Sequence, residues 1–186
     1  MNILLGKGCS FYFDGSGDYV YHGTAGIDPQ QGTVAGWVKP NTSTSWGFWQ
    51  THNASGSNWL DWISMFMYAD GNFYFRIGDG SSCCSNDVVV TPSEADIPVG
   101  EWTHLAFTWG DGDTMIVYVN GKEVDRRNNA TFQTTMDPLA RIGWGHDRQM
   151  NGYIDNLRIY EEALSEAQIQ QIYVQGVELL NLGLAE

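Results

Sequence analysis

Trp46, Trp49, Trp59 and Trp62 crowd into one short stretch, interleaved with Gln50, His52, Asn53, Asn58 and Asp61. Sugars present C–H patches that stack on aromatic faces, and hydroxyls that need amide and carboxylate partners. The stretch reads as a candidate glycan platform. Trp144, followed by His146, Asp147 and Arg148, forms a second group of the same kind. The competing reading is burial, because indoles also fill cores.

Cleaving a glycan is a different task. It needs two carboxylates flanking the bond, about 5–5.5 Å apart when configuration is retained. On a strand, residues two apart share a face, so the expected pattern is alternating acids. The sequence has no Glu-x-Asp-x-Glu run. Glu161 and Glu162 are neighbours and face opposite ways in a strand, and Glu94 and Asp96 lie in a loop between Pro92 and Pro98. Arg76, His104 and Tyr118 are scattered candidates for elimination chemistry with no diagnostic spacing. There is no His-Glu-x-x-His, Cys-x-x-Cys or Gly-x-Ser-x-Gly motif and no phosphate loop, so neither zinc nor an activated serine is expected. The chain reads as no enzyme.

Composition narrows the partners. The 186 residues carry a net charge of −13, which argues against nucleic acid, anionic membranes and anionic glycans. No apolar run approaches the ~18 residues of a membrane span. Aromatic residues make up 13%, far from a disordered composition. Length suits one domain with one core. Met1 to Gly8 lacks the apolar h-region of a secretory signal. Cys9, Cys83 and Cys84 are an odd set and give no disulfide framework, although Cys9 could pair with either of the others. The sequons at Asn41, Asn53 and Asn129 read as polar loops.

The elements that must position these side chains follow a period of 2. Strands are expected at Phe11–Phe13, Tyr19–His22, Thr33–Lys39, Trp46–His52, Val88–Val90, Leu139–Trp144 and Tyr153–Tyr160. Ser64–Tyr68 with Phe73–Ile77 forms a hairpin around Asp70-Gly71, and Trp102–Trp109 with Met115–Val119 forms another. Asn120-Gly121 signals a type I′ turn into Glu123–Asp125. One helix is expected: Ser165 and Gln168 make a capping box, Leu164 and Ile169 a staple, and Gly176 the stop. Short strands with a single late helix imply an all-β, two-sheet antiparallel sandwich with one short C-terminal helix. Residues 1–8 read as an N-terminal arm, 9–176 as the domain and 177–186 as an apolar tail that covers a sheet edge or docks a partner.

Five segments in order resemble the laminin-G-like domains of the concanavalin A-like lectin/glucanase superfamily. They are Phe11–Val20, Thr33–Pro40, Glu101–Trp109, Val117–Gly121 and Gly152–Tyr160 with Ala163–Ile169. The resemblance spans about Cys9 to Gly176. It implies a jelly roll of two curved sheets, with Trp37, Trp102 and Trp109 at core positions and Phe11, Trp37, Phe107 and Leu157 sealed between the layers. It leaves function open, since the fold hosts lectins, hydrolases and adhesion modules. It also implies a structural calcium ion at Asp14, Asp18 and Asp155. Asp155 alternates with Leu157 and Ile159, so a core-facing carboxylate there needs a metal, or else caps backbone N–H groups. The function expected is non-catalytic recognition or decoration on a surface outside cells, binding glycans or a partner protein. A missing signal points to a virion or capsid assembly; the alternative is a secreted adhesion module excised from a larger protein.

Overall fold

A computed structural model describes residues 10–52, 62–79, 86–110 and 112–181. In chain order the first strands are β1 (Phe11–Asp14), β2 (Val20–Gly23), β3 (Gly32–Pro40), β4 (Trp46–His52) and β5 (Ile63–Met67). Next come β6 (Phe73–Ile77), β7 (Asn86–Val90), β8 (Thr103–Gly110), β9 (Thr114–Val119) and β10 (Lys122–Arg127). The remainder are β11 (Leu139–Ile142), β12 (Trp144–Gly145), β13 (Arg148–Gln149), β14 (Asn151–Tyr160) and the helix α1 (Glu166–Asn181). They form one six-stranded antiparallel sheet in the order β1-β14-β3-β8-β9-β10 and a second in the order β2-β11-β4-β5-β6-β7. The expected jelly-roll sandwich is therefore the observed one.

Alternation builds the core between the sheets. Leu105, Phe107 and Trp109 of β8 point inward, as do Phe73, Phe75 and Ile77 of β6 and Ile154, Leu157 and Ile159 of β14. Phe107 is the hub: its ring lies 5.9 Å from Phe48, 5.4 Å from Phe73 and 5.5 Å from Phe75. Phe11 is only partly buried against this cluster. Trp37 is buried but lies on the far side of its sheet, beneath α1, stacked on Tyr173 at 5.7 Å. Trp102, expected inside, is half-exposed.

The helix explains why β3 and β8 are buried along almost their whole length. Their outward residues, Ala35 and Ala106, meet Leu164, Ile169 and Ile172 in a second, smaller core. Small residues on the sheet let the helix come close. The capping box forms in part: the Ser165 N–H donates to Gln168 Oε1 at 2.8 Å, while the Ser165 hydroxyl also donates to that oxygen. Asn120 and Gly121 take the two positive φ angles of the expected type I′ turn. Gly176 does not end the helix, which continues to Asn181. A Cβ at Gly176 would sit 2.2 Å from Trp37 Nε1, so this glycine marks a close approach and no stop.

His104 lies in the same seam. It is fully buried, within 5.3 Å of the Trp37 ring and 5.8 Å of the Tyr173 ring. Burial, with the Arg158 charge adding to it, pushes its pKa down to about 3.

Two stability predictions follow from this seam. Ala in place of Gly ordinarily favours a helix interior by about 1 kcal/mol. At position 176 the sign reverses, because the methyl must displace an indole: Gly176→Ala lowers the melting temperature, by an amount equivalent to about 1–3 kcal/mol of overpacking. An unchanged or raised melting point would show that α1 is not seated on Trp37. His104 is neutral when folded, so its contribution is complete above its unfolded pKa near 6.5. As pH falls from there towards 3, the unfolded chain takes the proton first, and stability drops by up to about 1.4 kcal/mol per pH unit. Denaturant midpoints measured from pH 7 to pH 4 decline more steeply for the native chain than for His104→Phe; parallel slopes would refute the assignment.

Candidate functional site

The outer face of the second sheet carries a polar row fixed by strand register. Tyr21, Arg141, Gln50, Ser64, Arg76 and Asp87 are successive cross-strand partners on β2, β11, β4, β5, β6 and β7. At about 4.8 Å per strand the row runs some 24 Å. Its middle is closed over: Gln50 Oε1 accepts the Ser64 hydroxyl at 3.1 Å and the His146 N–H at 2.5 Å. Its far end is an Arg76–Asp87 ion pair, made by two hydrogen bonds of 2.8 and 2.7 Å.

The hairpin β12–β13 lies across this face. Two glycines make the approach possible: a Cβ on Gly47 would stand 2.0 Å from Gly145 N, and one on Gly145 would stand 2.6 Å from Met65 O. The hairpin lays the His146 ring on Phe66 at 4.8 Å and the Arg148 guanidinium 4.0 Å from the Tyr68 centroid. Phe66 also stacks on Tyr74 at 5.3 Å. Burial, then the positive charges of Arg76 and Arg148, lower the His146 pKa to about 4. Near neutral pH the ring is uncharged, as suits a stacking surface.

Trp144 stands at the near end. Its ring meets Tyr19 edge-on at 5.6 Å, and Tyr19 meets Tyr21 edge-on at 5.0 Å. The Arg141 guanidinium sits 4.8 Å from the Trp144 centroid, 4.9 Å from Tyr19 and 5.2 Å from Tyr21. It donates to the Tyr21 hydroxyl from Nε at 3.2 Å and Nη2 at 2.9 Å. Tyr19 is 38% exposed and Tyr21 45%. The cation spends its faces on three rings, so it acts as a strut that fixes them.

The other tryptophans are placed differently. Trp46 and Trp49 are fully buried in the core. Three residues apart, they would face opposite ways in a regular strand; the bulge between Gly47 and Trp49 turns both inward. Trp49 Nε1 donates to His22 Nε2 at 2.8 Å, which meets the cost of burying an indole N–H. Trp62 is 2% exposed and packs beneath His146 at 5.1 Å. Trp59, like Cys9, Cys83 and Cys84, lies outside the described residues. Tyr19, Tyr21 and Arg141 were not singled out from the sequence. Only the β2–β11 register brings them to Trp144. Arg76 lies on the outer face of this sheet, whereas His104 and Tyr118 lie beneath α1 on the other, so the three scattered candidates share no site.

The acidic positions do not gather. Asp14 pairs with Asn151, while Asp155 is four residues further along β14, a separation of roughly 13 Å. A bulge between Asp155 and Arg158 inserts one residue, so Asp155 shares the outer side with Trp37 and does not face the core with Leu157. Its Oδ1 accepts the Asn156 N–H at 2.6 Å, holding Asn156 at φ 49°. Burial raises its pKa, opposed by that hydrogen bond. Asp14 Oδ1 accepts the Ser16 N–H at 2.7 Å and Asp18 Oδ2 the Asp14 N–H at 3.1 Å, closing the turn on itself. Among the described residues no three Asp, Glu, His or Cys side chains converge as metal ligands. Asp14, Asp18 and Asp155 therefore do not fit one calcium ion.

A family model described as the concanavalin A-like lectin/glucanases superfamily matches residues 14–170. No curated protein sequence matches the chain. Among solved structures, domain 4 of AbnA, a GH43 extracellular arabinanase from Geobacillus stearothermophilus solved with arabinotriose, is 28% identical at a TM-score of 0.63, covering 92% of this chain and 87% of that one. The native heptameric SAP-like pentraxin of Limulus polyphemus is 20% identical at 0.64, covering 87% and 80%. The binding domain of botulinum neurotoxin serotype D is 15% identical at 0.67 and covers 89% of this chain; the match spans 42% of the toxin chain. Among the described residues no helix is long and apolar enough to cross a membrane.

The separation of the acidic residues is testable by chelation. Asp155→Asn keeps an oxygen for the Asn156 amide, and EDTA is expected to shift its melting temperature no more and no less than that of the native chain. A chelator-sensitive melt that Asp155→Asn abolishes would restore Asp155 as a ligand.

Proposed function

We propose, from the premise that this chain belongs to the laminin-G-like family of the concanavalin A-like lectin/glucanases superfamily, that it is a non-catalytic module recognising neutral glycans outside cells. The observation that carries this reading is the cluster of exposed Tyr19 and Tyr21 with the half-buried Trp144 around Arg141. Rings held in advance by edge contacts and a central cation lose little conformational freedom on stacking against a sugar. The exposed Ser16 and Asp18 of the turn that leads into Tyr19 supply partners for sugar hydroxyls. With its guanidinium occupied, Arg141 contributes rigidity more than anion binding.

Binding without cleavage is supported by how the polar groups are used. Asp87 is held by Arg76, and His146 is stacked on Phe66. His104, the other strand histidine raised by the sequence, is sealed beneath α1 with its pKa pushed down to about 3. The relative solved with arabinotriose suggests the first ligands to try.

Isothermal titration against arabino-oligosaccharides, then a panel of neutral polysaccharides, tests the reading. Trp144→Ala is expected to weaken binding about tenfold, equivalent to ~1.4 kcal/mol, with an unchanged melting temperature. If the native chain binds no neutral glycan, or Trp144→Ala binds as well as the native chain, the proposal fails. Release of reducing ends from any of these substrates would replace the module with an enzyme.

A further inference from the structure

The opposite face of the molecule carries a second set of rings, exposed at Tyr12 and half-buried at Tyr153 and Trp102. Register places Tyr12 of β1 beside Tyr153 of β14, and Tyr153 beside Lys39 of β3. The Val38–Thr103 pairing then brings Trp102, one residue before β8, to the other flank of Lys39. Their sequence neighbours Phe13, Ile154 and Val38 point into the core. The four therefore form one row across four strands on the outside of the first sheet. The Tyr12 and Tyr153 centroids are 5.0 Å apart, and Tyr153 and Trp102 are 6.3 Å apart. Lys39 Nζ lies 5.6 Å from the Tyr153 centroid and 6.0 Å from Trp102. Tyr12 is 56% exposed.

The polar atoms of this row are unspent. Among the described residues no carboxylate pairs with Lys39, and none forms a hydrogen bond with the Tyr12 or Tyr153 hydroxyl or the Trp102 N–H. The arginines near other rings differ: Arg76 is bound to Asp87, and Arg141 to Tyr21. A row of apolar faces with one uncommitted cation between them is complementary to an extended ligand that has C–H faces and a negative charge.

We infer that this row is a binding strip for a carboxylate-bearing polysaccharide of the uronic-acid class. Strands advance by about 4.8 Å per step, close to the advance of one sugar residue along an extended glycan. Successive sugar rings stack on Tyr12, Tyr153 and Trp102, and one ring carboxylate pairs with Lys39. The hydroxyls and the indole N–H hydrogen-bond to ring hydroxyls. The net charge of −13, from which the sequence argued against anionic ligands, acts weakly here: charges more than about 8 Å away are screened at physiological ionic strength, and the Lys39 contact is not. Asp155, two residues from Tyr153 on the same face, is nearer and opposes the Lys39 charge in part. The strip lies on the other sheet from Trp144 and does not depend on the neutral-glycan reading.

Affinity electrophoresis and calorimetry of the full chain with polygalacturonate test the strip. Polygalacturonate is expected to retard the native chain. Lys39→Met weakens binding about fivefold, and so does methyl esterification of the polymer. Tyr12→Ala weakens it comparably, and Trp144→Ala leaves it unchanged. Tyr12 is the safer variant for folding because its ring is mostly in water, and melting curves check both. The proposal is overturned if polygalacturonate fails to bind at about 150 mM salt, if Lys39→Met and Tyr12→Ala bind as the native chain does, or if the row instead mediates self-association that Lys39→Met abolishes. Neutral-glycan binding and its loss in Trp144→Ala report separately on the other site.

Discussion

Phe107 joins the two sheets. Its ring contacts Phe48, Phe73 and Phe75 from two strands of the facing sheet, and each contact is worth about 0.5–1.5 kcal/mol beyond the area it buries. Once this knot fixes which side of β6 and β8 faces inward, the period of 2 assigns every other side chain on those two strands to one face; in β4 the bulge shifts the phase once. The surface rows are thus a by-product of core packing. Tyr21 to Asp87 on one sheet, and Tyr12 to Trp102 on the other, lie in line because their neighbours are buried in line.

The strands were legible because alternation survives in the sequence. β1, β6, β8 and β9 lie within a residue or two of where the pattern puts them, and Asn120-Gly121 turns as its composition demands. What failed was phase. A bulge adds one residue and flips everything beyond it. The one between Gly47 and Trp49 put two tryptophans inside, and the one after Asp155 put a carboxylate outside. Neither insertion has a clear local signal, although Gly47 beside Phe48 is compatible with one. Gly176 misled for a related reason. A helix glycine can be a stop or a contact, and only the position of Trp37 decides.

The candidate site was legible only at Trp144. Its partners Tyr19, Tyr21 and Arg141 come from strands far apart in sequence, and their proximity is a statement about register. The same holds for Lys39 and the rings beside it. Total charge pointed away from anions, whereas the proposed strip turns on one ammonium that pairs with no carboxylate among the described residues. Spacing within one segment can report amphipathicity; it cannot report which residues of other strands stand alongside.

The position of β14 has a consequence for biosynthesis. It is the last strand made, yet it lies between β1 and β3, pairing Phe11 with Ile154 and Val38 with the same residue from the other side. As the polypeptide emerges from a ribosome, β3 presents an open edge and β1 has no neighbour until residues 151–160 are outside. Pairings this distant close slowly, and open edges invite intermolecular pairing. Nascent chains that stall before residue 151 should therefore need a chaperone, whereas the finished domain seals its own seam.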